Sequence, residues 1–510
     1  MEKIALFELS TTAIRLTLGT MVENEYFYVH KEYSEYVQIN EHIEGDGLIK
    51  TAKIKECIAL LQIYKKICEA EGVTANRMHC VVAASLAEAK NYSSFLEEAN
   101  NTCGLEFRML TEAEEISSVY TGVINTLDVP KGVIINISSH ATRVIHYNRR
   151  VVLDSFILPF GSTSAFTDEC TPDTAVQRIK DELEKRGGFL SSLDPETVLV
   201  GVSNVFVSFG RLSRKMRKIP VEIDHNFHAD KANFDQVFEL IKGLDPAKRQ
   251  KLRGISSYSA KTILAGMCIM EAILEYSKLD HIIVGCGYRN VGLLFNYAMP
   301  FTVERPVSDV LGFSLEAIAA SSRQDKKECE ARYNLALLLF RQLKVLHKLP
   351  RGYLKVLRVA SYLYHLGKRV NNFGYEKINY HAILNCNVQG VTHKEIILAA
   401  FVASQKKWED FNFAEWSRYG EKFLTEDDCE AVRKLSIIVA MAEALNIRNC
   451  GAIKDISCDI LGDSVILKLI ADESAKSTKT DVNALHMEIF YAKKFSMEFS
   501  RAFRKNMEIL

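Results

Sequence analysis

Glycine is scarce in this chain, and three other common features are missing. The 510 residues include 26 glycines, about five per cent against the usual roughly seven per cent. The 12 cysteines are scattered and no two form a Cys-x-x-Cys pair, so zinc and thioredoxin-type motifs have no support. Lys and Arg together number 64, as do Asp and Glu, so no net charge draws the chain to nucleic acid or anionic membrane.

Long apolar runs are also absent. None approaches the roughly 18 residues needed to span a bilayer, and the opening MEKIALFELS lacks the apolar region of a signal peptide. The scattered cysteines lie among apolar residues, as reduced thiols of a protein core do. We therefore expect a soluble cytoplasmic protein with no nucleic-acid or membrane partner. Its length corresponds to about three or four domains.

A strand, a short polar turn and a second strand occur twice. The two pairs of predicted strands are Ile4–Leu9 with Ile14–Leu18, and Val133–Ile137 with Arg143–Tyr147. In both pairs an acidic or amide residue, Glu8 or Asn136, falls late in the first strand. A duplicated unit of this kind predicts two similar α/β halves that face each other across a cleft.

From about residue 305 the pattern changes to almost pure helix. The predicted helices are Lys326–Leu346, Gly352–His365, His393–Ser404 and Thr425–Leu445. The last stretch, Ile453–Ile470 and Leu485–Tyr491, alternates like a small sheet and is closed by a helix from Ser496. The predicted organisation is a first lobe over 1–125, a second lobe over 126–303, a helical domain over 304–447 and a small α+β segment over 448–510.

Six stretches, taken in their order and spacing, resemble one known family. They are FELSTTAIRL from Phe7, VAASLAEAKN from Val82, LTEAEEISSVYTGV from Leu110, IINISSHATR from Ile134, Leu158–Gly161, and the segment from Gly254 to Gly292. The chain resembles the exopolyphosphatase/guanosine pentaphosphate phosphohydrolase (Ppx/GppA) family. The resemblance implies two actin-like (RNase H-like) α/β lobes across a cleft, an HD-like all-helical domain and a small α+β C-terminal segment.

The family resemblance also implies an activity and partners. The activity is release of terminal phosphate from inorganic polyphosphate or guanosine pentaphosphate, with Mg²⁺ as cofactor. Hydrolysis of such a phosphoanhydride requires a carboxylate that activates water, backbone N–H groups around the phosphate and a divalent cation. Family members often dimerise through the helical part, so a homodimer is implied as well.

Glu115 resembles the family's catalytic glutamate, which is proposed to activate water. It lies at the start of a predicted helix, Glu112–Val123, for which Thr111 is the expected N-cap and Glu114 occupies the capping-box position. The alternative is that Glu115 is a helix-favouring surface residue that the first-turn dipole tolerates.

The remaining site residues are implied by the same resemblance. The expected phosphate contacts are Ser10, Thr11, Thr12, Arg15, Ser138, Ser139, Thr142 and Arg289. Glu8 and Asn136 stand where the family has two metal-binding Asp residues. Asn136 is neutral and therefore a poorer magnesium ligand.

Several family positions are substituted in this chain. The phosphate turns have lost their glycines, a phosphate-clamping arginine is missing, and one acidic residue has become basic. The substituted positions are Ser10–Ala13, Ala87, Ser138–His140, Arg143 and Ser203–Val205. Because β-carbons intrude on phosphate turns, and loss of one well-placed electrostatic group costs about 100- to 1,000-fold in rate, we expect turnover to be weak or lost.

Three functions stay open at this point. The first is a magnesium-dependent phosphohydrolase, and the second is a non-catalytic paralogue that binds a phosphate-rich ligand or a protein partner in a regulatory role. A sugar- or acetate-type kinase is weaker, because its adenosine site also needs glycine-rich loops. In the helical part, His365 is followed by Leu366 rather than Asp, so we expect His365 and His381 to be packed or surface histidines rather than metal ligands.

Overall fold

The chain divides into two compact units, Met1–Val310 and Leu311–Leu510. The computed structural model describes residues 2–22, 25–43, 45–166, 170–287, 289–299, 303–420, 423–472 and 485–510. Within these residues, no helix is long and apolar enough to cross a membrane. The four-part division expected from the sequence is finer than the observed two units and stays a prediction.

The N-terminal unit is built from two sheets and their covering helices. Its strands are β1 (Glu2–Leu9), β2 (Ala13–Val22), β3 (Tyr26–Tyr36), β4 (Met78–Val82), β5 (Arg108–Met109), β6 (Lys131–Ile137), β7 (Thr142–Asn148), β8 (Val151–Leu158), β9 (Val198–Val202), β10 (Phe227–Asp230) and β11 (His281–Gly285). Its helices are α1 (Thr51–Ala70), α2 (Tyr92–Cys103), α3 (Glu112–Ile124), α4 (Pro172–Arg186), α5 (Asn204–Met216), α6 (Lys231–Lys242), α7 (Pro246–Gln250), α8 (Ser257–Ser277) and α9 (Arg289–Ala298). The strand orders are β3-β2-β1-β4-β5 in one sheet and β10-β11-β9-β6-β7-β8 in the other.

The duplicated strand–turn–strand unit is present in both sheets, as the sequence predicted. Strands β1 and β2 pair antiparallel with Glu8 opposite Arg15. Strands β6 and β7 pair in the same way with Asn136 opposite Arg143. The two hairpins therefore carry an arginine at equivalent places, directly across from the acidic or amide residue.

Each sheet has its own apolar core. Phe7 on β1 and Phe95 on α2 are fully or almost fully buried in the first. Phe206 and Phe209 on α5 pack with Phe234 on α6 in the second. Removing such large side chains from water is the main favourable contribution to folding, about 1.5–3 kcal/mol for each one fully buried. The polar turns of the hairpins are left at the ends of the sheets.

The C-terminal unit is helical with one small sheet. Its helices are α10 (Val310–Ser321), α11 (Lys326–Gln342), α12 (Lys344–His347), α13 (Tyr353–Tyr362), α14 (Tyr375–Asn385), α15 (His393–Ala403), α16 (Phe413–Ser417), α17 (Glu426–Leu445), α18 (His486–Lys493) and α19 (Ser496–Phe503). Its strands are β12 (Ile453–Leu461), β13 (Ser464–Ala471) and β14 (Asn506–Ile509), paired in that order. The predicted helices correspond to α11, α13, α15 and α17, although α11 ends at Gln342 and α12 follows it as a separate short helix.

One predicted element is wrong. The segment Leu485–Tyr491 was expected to add to the small sheet, but His486–Lys493 forms helix α18. Glu488 and Ala492, four residues apart, are its buried residues, and Glu488 accepts two hydrogen bonds from Arg448 at 2.6 and 2.9 Å. Residues four apart lie on the same face of a helix, so burying this face favours a helix over the strand that the short alternation of apolar residues predicts. The third strand is instead β14, beyond the final helix.

Candidate active site

The two hairpin turns face a cavity of about 430 Å³ within the N-terminal unit. Residues from both sheets and from helices α3, α8 and α9 line it. The predicted site residues that line this cavity are Glu8, Ser10, Thr11, Thr12, Arg15, Glu115, Asn136, Ser138, Ser139 and Arg289. The fold thus collects side chains that lie far apart in sequence into one cleft.

Thr142 is the exception among the predicted phosphate contacts. Its side chain is fully buried and its hydroxyl donates to the carbonyl of Phe160 at 2.7 Å. Successive residues of a strand point to opposite faces, so Arg143, and not Thr142, reaches the cavity from β7. Thr142 is therefore not placed to contact a ligand in this cleft.

The serine that opens each hairpin turn is used by the turn itself. The Ser10 hydroxyl donates to the carbonyl of Ala13 at 2.9 Å and accepts from its N–H at 3.1 Å. Ser138 makes the same pair of contacts with Ala141, at 2.7 and 3.3 Å. These hydroxyls stabilise turns that lack glycine, and a ligand would have to compete for them.

A close backbone approach supports the second turn. A β-carbon on Gly161 would lie 2.2 Å from the carbonyl oxygen of Ser139, so only glycine fits there. The carbonyl of Ser139 also accepts from the N–H of Thr163 at 2.9 Å. Gly161, at the end of the Leu158–Gly161 stretch, therefore packs directly against the turn of Ser138–His140 and stabilises it.

Glu115 lies in the first turn of α3 and is fully buried. The predicted helix start is confirmed: Thr111 accepts from the N–H of Glu114 at 3.2 Å, and Glu114 accepts from the N–H of Thr111 at 2.9 Å. The alternative that Glu115 is an exposed helix-favouring residue is wrong, because no part of it reaches solvent. A buried carboxylate needs partners, and Glu115 has two.

Both partners of Glu115 are arginines. Arg289 donates from Nη1 to Oε1 at 3.0 Å. Arg143 donates from Nη2 to Oε2. Arg289 also donates from Nε to Oε1 of Glu8 at 3.1 Å, so one guanidinium joins the two buried carboxylates of the cleft. Glu88 and Glu112 line the cavity as well.

Glycine contacts between helices bring Arg289 to this position. A β-carbon on Gly292 of α9 would lie 1.9 Å from the carbonyl oxygen of Ser118 on α3. A β-carbon on Gly287 would lie 2.2 Å from the carbonyl oxygen of Gly122. Helix α9 and the residues just before it can approach α3 this closely only because glycine stands at both points. Arg289, the first residue of α9, is thereby set against Glu115.

The cleft interior is rich in guanidinium groups. Burial, with a smaller contribution from the neighbouring Arg289 charge, lowers the pKa of Arg143 to about 10, so Arg143 is still a cation at neutral pH. Arg15 adds a third guanidinium, with Nη1 3.9 Å from Oε2 of Glu8. The family resemblance predicts Arg15 and Arg289 as phosphate contacts, but it marks Arg143 only as the replacement of an acidic residue.

The residues present do not fit magnesium. Mg²⁺ demands a near-ideal octahedron of oxygen ligands and is usually held by one or two carboxylates and several waters. Here Glu8 pairs with Arg289 through Oε1, and its Oε2, which has no hydrogen-bond partner among the described residues, lies 3.9 Å from the guanidinium of Arg15. Asn136 offers only a neutral amide, whose Nδ2 donates to the carbonyl of Val202 at 3.0 Å. Both oxygens of Glu115 accept from guanidinium groups, so one buried carboxylate oxygen beside a cation is too little to hold Mg²⁺.

Two tyrosines that no sequence pattern indicated also line the cavity. Tyr36 ends β3 of the first sheet and Tyr258 begins α8, which packs on the second. Their rings stack with centroids 4.7 Å apart and planes 22° apart. Asn204 donates to the Tyr36 hydroxyl at 3.2 Å. The stack joins the two halves of the unit at the cleft.

A second polar cluster lies in the C-terminal unit, beside a cavity of about 380 Å³. Ligand atoms of Glu328, His365 and Glu443 lie within 4.8 Å of one another, a spacing that could hold a metal ion. Arg332, which is fully buried, donates to Glu443 at 2.6 Å and to Glu328 at 2.8 Å. A resident guanidinium therefore already supplies the positive charge between these carboxylates, and His365 packs within this ion network.

Two sheets that present equivalent hairpin turns to one shared cleft define an actin-like α/β fold. The profile of the Ppx/GppA phosphatase family matches residues 21–296 of the 510. This is more than half of the chain, so the chain belongs to the Ppx/GppA phosphatase family. The resemblance drawn from the sequence is thereby confirmed.

Solved structures agree on the fold. A crystal structure of a Ppx/GppA family member from Aquifex aeolicus is similar with a TM-score of 0.51 and 21% identity, over 58% of this chain and 97% of that one. A crystal structure of an exopolyphosphatase from Cytophaga hutchinsonii is similar with a TM-score of 0.52 and 12% identity, over 58% of this chain and 98% of that one. No curated protein matches the chain significantly. At these identities the structures establish the fold and nothing further.

Proposed function

We propose that the N-terminal unit binds the phosphate chain of inorganic polyphosphate or guanosine pentaphosphate in its cleft, and that hydrolysis there is weak or lost. The observation that carries this proposal is the ion pair between Arg143 and Glu115. Glu115 stands at the family's catalytic position, and Arg143 stands where the resemblance places an acidic residue.

The ion pair opposes general-base catalysis. A base must accept a proton from the attacking water within hydrogen-bond distance. Each oxygen of Glu115 already accepts from a guanidinium, Arg143 on one side and Arg289 on the other. A water could use the second lone pair of an oxygen, but it would share that oxygen with a guanidinium whose positive charge opposes transfer of a proton to the carboxylate.

Binding of a phosphate chain has separate support. Guanidinium groups recognise phosphate oxygens in a planar, two-pronged manner, and Arg15, Arg143 and Arg289 all line the cavity. Thr12 and Ser139 add hydroxyls at its wall. The alternative of an efficient hydrolase is favoured by one observation, which is that Glu115 is retained and lies in the cleft.

Phosphate release distinguishes the two candidates. Purified protein is incubated with Mg²⁺ and long-chain polyphosphate, beside a Glu115→Gln variant, and binding of the same polymer is measured in parallel. We expect binding with little or no release. Rapid release that Glu115→Gln abolishes would overturn the loss of turnover, and absence of binding in a folded preparation would overturn the whole proposal.

We propose that the helical part of the C-terminal unit is a degenerate HD-like domain, because His365 is followed by Leu366 and its neighbours are ion-paired with Arg332. A cytoplasmic location and a homodimer formed through this part belong to the same proposal. Size-exclusion chromatography with light scattering tests the dimer, and a monomer at high concentration would contradict it.

A further inference from the structure

We infer that the guanidinium groups of Arg143 and Arg289 take the place of a divalent cation in this cleft, so that it binds a phosphate chain without metal. The inference rests on the proposed function, since it concerns how the same ligand is held. It assigns Arg143 a ligand-binding role that follows from geometry and not from the family pattern, which has an acidic residue there.

The buried charges of the cleft are paired with one another. Its two buried carboxylates, Glu8 and Glu115, are each in contact with Arg289, and Glu115 also contacts Arg143. A divalent cation that displaced the guanidinium groups from Glu115 would leave the buried Arg143 without its counter-charge, and removing one partner of a buried ion pair is strongly unfavourable. The buried carboxylate oxygen left over is Oε2 of Glu8, which has no hydrogen-bond partner among the described residues and lies 3.9 Å from the guanidinium of Arg15. A cation there would lie beside the positive charges of Arg15 and Arg289, which disfavours it.

Arg143 has a hydrogen-bond donor that no described protein group uses. Arg143 is buried and lines the cavity, and among the described residues its Nε–H has no hydrogen-bond acceptor. A buried donor without an acceptor is costly, and an acceptor supplied by a ligand removes that cost. Arg143 and Arg289 also repel each other, which contributes to the lowered pKa of Arg143. An anion between them relieves both effects.

The hairpin register explains why Arg143 is available. In the first hairpin Arg15 lies opposite the acidic Glu8, whereas in the second Arg143 lies opposite the neutral Asn136. Asn136 cannot neutralise the guanidinium across the strands. Arg143 pairs with Glu115 instead and lines the cavity, where it can also donate a hydrogen bond to an oxyanion.

A binding experiment on the full chain tests the inference. The probe is inorganic tripolyphosphate, titrated calorimetrically in the presence of EDTA and again in the presence of Mg²⁺. We expect binding in EDTA, with an affinity that Mg²⁺ improves by no more than about twofold. Arg143→Gln should weaken binding in EDTA by about tenfold or more, since one charge-assisted contact is lost. Arg186→Gln, an exposed arginine on α4, is the matched control and should bind as the unmodified protein does.

The titrations distinguish failure of metal-free binding from failure of phosphate-chain binding altogether. Binding of tripolyphosphate that requires Mg²⁺ would overturn the inference while leaving the proposed function intact. An unchanged affinity in a folded Arg143→Gln variant would overturn it as well. Absence of binding in both conditions would overturn the proposed function itself. If Arg143→Gln does not fold, the EDTA titration of the unmodified protein still decides, and Arg143→Lys, which keeps the charge, serves as the second variant.

Discussion

Arg143 on β7 donates to the buried carboxylate of Glu115 on α3. This ion pair links a strand of the second sheet to the helix that follows the first sheet in the chain. Glu115 also accepts from Arg289, at the start of α9. The carboxylate expected to act on water is thus a counter-ion for two arginines. Removing the negative charge of Glu115 should therefore lower the stability of the N-terminal unit but raise its affinity for an anionic ligand.

Glu115→Gln should destabilise the N-terminal unit. The substitution leaves two guanidinium groups in a buried site with one fewer negative charge, and breaking a buried pair in this way costs about 3–5 kcal/mol. The two tryptophans, Trp408 and Trp416, both lie in the C-terminal unit, so a urea transition seen by far-ultraviolet circular dichroism but not by tryptophan fluorescence reports on the N-terminal unit. Glu184→Gln on the exposed face of α4 is the control. Equal stability of the two variants would contradict this account of the pair.

The same Glu115→Gln variant should bind tripolyphosphate more tightly. Glu115 competes with an anionic ligand for the guanidinium groups of Arg143 and Arg289. Removing the competitor's charge frees both groups, and a gain of about tenfold corresponds to roughly 1.4 kcal/mol. Titration calorimetry in EDTA measures this gain in affinity, without urea and at a temperature where the variant is folded. Weaker binding would show that Glu115 supports the ligand instead of competing with it.

The sequence contained more of this site than its pattern first suggests. Glu8 and Arg15 are seven residues apart, and so are Asn136 and Arg143, because the two hairpins have the same register. This repeated spacing is a signal that Arg143 is equivalent to Arg15, whereas the family resemblance marks Arg143 only as the replacement of an acidic residue. The contact of Arg143 with Glu115 could not be predicted in this way, because it depends on how β7 packs against α3.

Other features lay beyond sequence patterns for physical reasons. The Tyr36–Tyr258 stack joins residues more than 200 positions apart, and neither lies in a periodic pattern that marks a cavity. The pattern over 485–491 predicts a strand because four apolar residues alternate there, but a segment this short fits the helical period as well, and it forms α18. The two hairpins and α3 were predicted well, since period and capping residues agree there.

Gly292→Ala should separate α9 from α3 and disturb the site from a distance. The added β-carbon would lie 1.9 Å from the carbonyl oxygen of Ser118, and a backbone atom cannot rotate away. Overpacking of this kind costs about 1–3 kcal/mol, and the shift of α9 should draw Arg289 away from Glu115. Thermal unfolding and tripolyphosphate binding should both be weakened. Gly188→Ala, whose β-carbon meets nothing within 4 Å, is the control, and equal behaviour of the two variants would contradict the close packing.

The Tyr36–Tyr258 stack should couple the two halves of the N-terminal unit. Stacked aromatic pairs contribute about 0.5–1.5 kcal/mol beyond the area they bury. A double-mutant cycle with Tyr36→Leu and Tyr258→Leu, measured by urea unfolding, should return a coupling energy in that range. Leucine keeps apolar volume, so the cycle isolates the ring contact. Additive effects of the two substitutions would show that the rings touch without stabilising the N-terminal unit.

Acid should destabilise the C-terminal unit through Glu443. Burial raises the pKa of this carboxyl, but a hydrogen bond from His365 and the charge of Arg332 outweigh it and lower the pKa to about 2 from a usual 4.5. A depressed folded-state pKa contributes stability that is complete above the unfolded value and lost as the pH falls through the folded one. The loss should therefore take place between about pH 4.5 and 2, and a shift of this size corresponds to roughly 3 kcal/mol.

Tryptophan fluorescence makes the Glu443 prediction specific, because Trp408 and Trp416 report on the C-terminal unit alone. Urea unfolding is followed at a series of pH values from 6 toward 2, about the range over which the linkage acts. Glu443→Gln should be less stable at pH 6 and should lose less stability on acidification than the unmodified chain, since its side chain takes up no proton. Glu430→Gln, a half-exposed residue of the same helix paired with Lys434, should keep the full acid response. An acid response of Glu443→Gln as steep as that of the control would contradict the prediction and move the effect to another carboxylate of the unit. Two have a lowered pKa: Glu328, through its hydrogen bond to His365, and Asp428, through hydrogen bonds that outweigh its burial.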